Sequence, residues 1–230
     1  MSTDYFARPQ GWRRTLFLLG LTAMFVAYFL VWLPGPGAGL QLIGIEIGEW
    51  IKFLGVGARR NLFYLPPIVL GLCVALWAAG WPNGRWQTWL ARALAVGVAL
   101  LAFPAVAAIQ LEPPGEWAWR LGMIALVVIV AAAGALVARR GAPPAWLWLL
   151  LAGVAAVGAV LPAWAYLSVL PVVREIMRRP VGIGEGVWLN SAGALLVMAV
   201  ALAEWSSARR GAARRAAQKS AAGPEAAALE

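Results

Sequence analysis

Six stretches of the chain are long, apolar and almost free of charge: Thr15–Leu33, Leu62–Trp81, Leu90–Ile109, Leu121–Val137, Ala145–Leu167 and Val187–Ala203. Each is close to the roughly 20 residues an α-helix needs to cross a hydrocarbon core about 30 Å thick. The pattern predicts an all-α fold, a polytopic membrane bundle of six transmembrane helices within residues 1–205. Residues 206–230 read as a basic, Ala-rich tail that frays from the last helix into disorder. Pro66 and Pro67 fall in the first turns of the second stretch, where a missing amide donor matters least. Pro104 predicts a kink in the third stretch, and Pro162 a bend or an end in the fifth.

The first gap, Pro34 to Asn61, is much longer than a turn. Ile43, Ile47, Trp50 or Ile51, and Leu54 recur in it at helical spacing, with Glu46, Glu49 and Lys52 on another side. That suits a helix lying in the membrane interface between the first and second spans. Leu42–Ile47 also alternates well enough for a short strand. The first stretch has the flanks of a signal peptide, but its 19 residues exceed the usual apolar core of such a leader, so an uncleaved first helix is expected.

Composition supports lipid as the solvent. The chain is 62% hydrophobic and 13% charged, where soluble domains run near half and a quarter. Its net charge is +9, from 17 Arg and 2 Lys against 10 acids. Taken with the spans, this charge sets sidedness and does not point to nucleic acid. With the N-terminus inside, 12 of the 19 basic residues fall on the inner side, and both termini are expected in the cytoplasm. The expected location is a bacterial inner membrane. All 14 tryptophans lie at or near predicted helix ends or in the first outer loop, as an aromatic belt at the two interfaces would. Alanine and glycine repeat at i+4 on the third, fourth and fifth stretches (Ala91, Ala95 and Ala99; Ala131 and Ala135; Ala152 and Ala156). Those rows predict close packing of these three helices on one another, or against another subunit.

Histidine is absent and Cys73 is the single cysteine, inside an apolar stretch. That composition excludes an intrachain disulfide, a Ser-His triad and a His-bearing zinc helix, and no cofactor or metal is expected. Candidate chemistry is confined to the predicted outer face. Glu46 and Glu49, one helical turn apart, are the candidate acid/base pair. Arg174, Arg178 and Arg179, with Glu185, form a candidate ligand site, since the arginine fork suits phosphate; the preferred reading pairs these arginines with Glu46 and Glu49. Gly182-Ile-Gly-Glu-Gly186 resembles a phosphate loop only superficially, because no strand precedes it and no Lys-Ser/Thr follows. Its glycines are expected to let the chain turn into the last helix. Within the bilayer, Arg92 and Glu204 lie about a turn from the cytoplasmic ends, where side chains can reach the interface.

The expected function is that of a scaffold, assembly or accessory subunit without a catalytic site, with membrane lipids and other membrane subunits as partners and no nucleic acid. The alternatives are a permease subunit of an ATP-driven transporter, and an outer-face enzyme acting on a lipid-linked substrate.

Overall fold

The structure, a computed structural model, describes residues 11–35, 41–139 and 145–227, with side chains up to residue 211 and at residue 213. Residues 36–40 of the first gap, and some of the basic residues counted above, lie outside the described residues. The fold is all-α, 81% helical. Its helices are α1 (Trp12–Ala27), α2 (Gly44–Ile51), α3 (Leu65–Ala78), α4 (Trp86–Ala99), α5 (Val106–Leu111), α6 (Ala118–Val137), α7 (Trp146–Met177) and α8 (Glu185–Ala227). A two-stranded antiparallel ribbon joins β1 (Val31–Leu33) to β2 (Leu42–Ile43), with Val31 opposite Ile43.

Among the described residues, four helices are long and apolar enough by themselves to cross a membrane: Gly57–Ala78, Ala118–Val137, Trp146–Met177 and Glu185–Gly211. The other two predicted spans are cut short for identifiable reasons. α1 stops at Ala27, where the buried Trp32 indole N–H donates to the Ala27 carbonyl at 2.8 Å. That bond satisfies one of the carbonyls a helix end leaves open, and the chain then turns into β1. Pro104 breaks the third stretch outright instead of kinking it. The residue before proline is pushed to extended backbone, Phe103 sits at ψ 131°, and α5 begins as a separate helix. What remains, α4 with its 3-10 turn, is the 17-residue Trp86–Ala102.

α3 is the axis of the bundle. All 14 of its residues are buried, and α1, α4, α6 and α7 pack around it. The three helices that carry the small-residue rows all pack on α3, and α4 and α6 also touch each other. A Cβ on Gly71 would meet the Ala95 carbonyl of α4 at 2.6 Å; one on Gly134 of α6 would meet Ala79 at 3.0 Å; one on Gly158 of α7 would meet Val69 at 2.5 Å. α8 packs against α1 and α7, and at its crossing with α1 a Cβ on Gly20 would lie 2.8 Å from the Gly193 carbonyl. In lipid such close backbone approach replaces the hydrophobic drive between helices.

α7 continues through Pro162, so the helix does not end there. Proline cannot donate to the carbonyl four residues back, which leaves Gly158 O without its helical partner. The buried Asn190 of α8 supplies the missing donor, its Nδ2 reaching Gly158 O at 3.0 Å, and Ser191 Oγ donates to Ala159 O at 3.3 Å. Neighbouring polar side chains are how membrane helices tolerate proline. Asn190→Leu is expected to lower the unfolding free energy by about 1–2 kcal/mol, since it orphans a buried carbonyl. A thermal melt of the detergent-solubilised protein, compared with Ser168→Ala at a half-buried position of α7, checks it.

The tryptophans divide. Trp12, Trp50, Trp86, Trp89, Trp146, Trp164 and Trp188 are exposed, whereas Trp32, Trp77, Trp81 and Trp148 are buried inside the protein. The Phe17–Trp77 and Trp77–Trp81 rings pack at 5.1 and 4.7 Å, so this part of the supposed belt is core.

Candidate functional site

The segment between α1 and α3 carries both a short strand and a helix. Leu42–Ile43 is strand and Gly44–Ile51 is helix. α2 turns Gly44, Ile47, Gly48 and Ile51 inward, which leaves Glu49 and Lys52 at the flank of that face. The chain then returns through the 3-10 segment Gly57–Tyr64 into α3. Glycine at position 48 matters here, because any Cβ would strike the Tyr64 ring at 2.5 Å. That close fit brings the Tyr64 hydroxyl to Glu49 Oε1 at 2.7 Å.

Glu49 is the centre of an ion network. Arg120, at the start of α6 with a side chain only 1% exposed, donates to Glu49 Oε1 at 2.8 Å. Its guanidinium lies 4.0 Å over the Tyr64 ring. Lys52 Nζ bridges Glu49 Oε2 at 3.3 Å and Glu112 Oε1 at 2.9 Å. Arg60, equally buried, reaches Glu116 Oε2 at 2.6 Å and Glu112 Oε2 at 3.6 Å, and also donates to the Glu116 carbonyl. Three cations face three carboxylates, so the cluster is charge-balanced. It joins α2, the 3-10 segment before α3, the end of α5 and the start of α6.

Protonation follows from these contacts. Burial pushes the Glu49 carboxyl up, but the hydrogen bonds from Tyr64 and Arg120 and the Arg120 charge outweigh it and hold the pKa below the usual range. The Lys52 hydrogen bond, against a smaller effect of burial, likewise holds Glu112 low. The bond to Glu112 in turn raises Lys52. A carboxylate so stabilised in its charged form is a poor general base.

The other sequence candidates do not join this cluster. Glu46 is exposed on α2 and makes no ion pair among the described residues. Arg174, Arg178 and Arg179 pair with neither Glu46 nor Glu49, which corrects that expectation. Arg174 donates through Nε and Nη2 to the Val181 carbonyl at 3.0 and 2.8 Å, and Arg179 reaches the Pro34 carbonyl at 3.5 Å. Arg178 takes the left-handed conformation, φ 51°, that ends α7. These arginines close the α7–α8 turn by capping carbonyls within reach; Glu49 has already been taken by Arg120. Glu185 is the exposed first residue of α8. The spacing had placed Lys52 beside Glu49; the residues that sequence reasoning missed are Arg60, Tyr64, Glu112, Glu116 and Arg120. Four of these are charged residues in the gaps assigned to one side, where acids nearly balance bases, and that balance was the available signal.

The two charges flagged within the apolar stretches are both partnered at the opposite, basic end. Arg13 reaches Glu204 at 3.4 Å and Ser207 at 3.0 Å, tying α1 to α8. Arg92 donates to Asn83 Oδ1 at 2.8 Å and lies 5.0 Å over the Trp89 ring, while Asn83 Nδ2 donates to the Ala135 carbonyl.

Comparison with known protein families, with curated proteins and with solved structures finds no match. Four helices long and apolar enough to cross a membrane, with an ion-pair network that fastens α2, α5, α6 and the 3-10 segment before α3 together at one end, are what the fold and the site define.

Proposed function

We propose that the chain is a non-enzymatic membrane component, a scaffold, assembly or accessory subunit of a larger complex. In this reading α1, α3, α4, α6, α7 and α8 all cross the bilayer, α2 lies in the outer interface, and both termini face the cytoplasm of a bacterial inner membrane. α1 supports a crossing although it is short. Its 16 residues reach about 24 Å, and the turn and ribbon after it carry the chain further. The basic ends of α1, α4 and α8 fall together, as Arg13–Glu204 and Asn83–Ala135 require.

The observation that carries the functional reading is α6. It is apolar over 20 residues, yet only 28% of its most apolar 18-residue window is buried, against 89% for the segment containing α3. Its exposed positions include Gly122, Ala125, Ala132 and Ala133, set among Leu126, Val128, Ile129 and Leu136. Small residues on a lipid-exposed face let a partner helix approach closely. The outer network adds a rigid platform whose charges neutralise one another, and Glu49 is committed to Arg120 and Tyr64. The α3–α4 turn, from Ala79 to Arg85, is tied to its own helices through Thr88 and Arg92, which leaves little for a separate motor to grip.

Extraction from native membranes in mild detergent is expected to bring down a defined membrane partner. Ala125→Trp and Ala132→Trp are expected to release that partner by at least tenfold while leaving the melting temperature unchanged. A strictly monomeric extract with no associated protein overturns the reading.

A further inference from the structure

We infer that the basic end of the bundle holds an anionic phospholipid, with one acyl chain seated between α1, α3 and α4. This inference rests on the membrane reading above, and it adds a ligand, a place and a headgroup charge. The three helices enclose a groove of about 490 Å³ that opens sideways. Its floor is the α3 face Leu70, Val74, Trp77 and Trp81; its walls are Leu18 and Phe25 of α1 and Leu90 and Leu94 of α4. The polar side chains in its lining are Thr22 and Gln87.

A partner helix is a poor occupant. Helices dock in lipid through small residues, and this chain has already used Gly20, Gly71 and Gly193 on internal contacts. The groove walls are instead Leu, Phe and Trp, with Ala91 as the small member. Bulky, uneven walls suit a flexible hydrocarbon chain.

The polar end identifies the headgroup. α1 and α4 both start at the end where α3 finishes, so Leu18, Gln87 and Trp81 mark one mouth of the groove. Arg14 precedes Leu18 by four residues and therefore continues the same face of α1 by one turn. Arg85 caps the start of α4, two residues before Gln87. Both arginines are exposed, and neither side chain makes an ion pair or hydrogen bond among the described residues. Their neighbours Arg13 and Arg92 are by contrast already committed. Two free guanidinium groups at the mouth of an apolar groove complement a phosphodiester above an acyl chain.

The test is native mass spectrometry of the full chain in mild detergent, titrated with phosphatidylglycerol or phosphatidylcholine of matched chains. Wild type is expected to retain one phosphatidylglycerol, with a preference over phosphatidylcholine of about fivefold per arginine. Arg14→Gln with Arg85→Gln is expected to erase the preference while some lipid of either kind still binds. Ala91→Trp, which fills the groove, is expected to abolish retention of both. Should Ala91→Trp fail to fold, Leu94→Trp replaces it at the groove wall. Equal retention of the two lipids by wild type, or undiminished binding by a folded groove-filled variant, overturns the inference. A chain that stays dispersed in buffer without detergent sinks the membrane reading itself, which is a different result from a detergent-dependent chain that retains no lipid.

Discussion

Glu49→Leu is expected to cost about 3 kcal/mol of stability, more than Arg120→Met, although the two changes break the same ion pair. Removing one member of a buried pair costs about 3–5 kcal/mol because the other is left charged and unpaired. Here the two survivors differ. Without Glu49, Arg120 remains almost wholly buried, and Glu49 is its hydrogen-bonding partner among the described residues. The Tyr64 hydroxyl loses its acceptor at the same time. Without Arg120, Glu49 keeps Lys52 and Tyr64, and 39% of its side chain still meets solvent. That exposure puts the first cost at the lower end of the range and the second at about 1–2 kcal/mol. The double variant is expected to be more stable than Glu49→Leu alone, since apolar replacement of both partners removes the stranded charge. The pH dependence has a definite sign. Glu49 has a lowered folded pKa, so its contribution is complete above the ordinary carboxylate value of about 4.3 and is lost as pH falls through the lowered one. Thermal melts of wild type should soften in that acid window, and Glu49→Leu should show a shallower acid limb, carried by Glu112. Arg120→Met melting below Glu49→Leu at neutral pH would defeat this account.

Hydropathy located the spans: α6 falls where its apolar run predicts, and α7 and α8 begin where theirs do, but α7 continues to Met177 and α8 stays helical to Ala227, through most of the tail expected to fray. The ends were not legible in the sequence, because single side-chain bonds set them. The Trp32 indole that donates to the Ala27 carbonyl is only five residues on but carries no periodic signal, and nothing local to Pro162 announces that Asn190, 32 residues from Gly158, will supply the missing donor. Tryptophan misled for a related reason. An indole beside a helix end satisfies the rule for an interface whether it faces lipid or protein, and only the fold distinguishes exposed Trp188 from buried Trp32. The candidate site was half legible. Glu49 stood out by its spacing from Glu46, but its partners Arg120 and Tyr64 are 71 and 15 residues away, and helix periodicity cannot see that far. Arg174, Arg178 and Arg179 formed a cluster in sequence and do not form one chemically, because adjacent residues around a helix end point to different carbonyls.

The Gly182-Ile-Gly-Glu-Gly186 segment supplies the second large effect, and it separates packing from turning. Gly184→Ala is expected to cost about 3 kcal/mol, while Gly182→Ala, two residues earlier in the same motif, stays within about 0.5 kcal/mol. Neither glycine has a positive φ, so conformational freedom does not distinguish them. Space does. A Cβ on Gly182 meets nothing within 4 Å, whereas one on Gly184 would press on the carbonyls of Val31 and Trp32. Those carbonyls belong to the backbone of β1, which is held by its pairing with β2 and by the Gly184 N–H to Trp32 O bond at 3.0 Å. Backbone so fixed cannot yield as a side chain can. Gly186 presses instead on the Trp32 ring and on the Ala27 carbonyl at 2.8 Å. Gly186→Ala is therefore expected to fall between the other two, and a double-mutant cycle with Trp32→Leu should show favourable coupling, because the smaller side chain removes the clash it shares with position 186. Melting temperatures of these five variants in one detergent decide the matter. If the segment worked as a flexible or phosphate-cradling loop, Gly182 would be as sensitive as Gly184, and the ordering by available space would disappear.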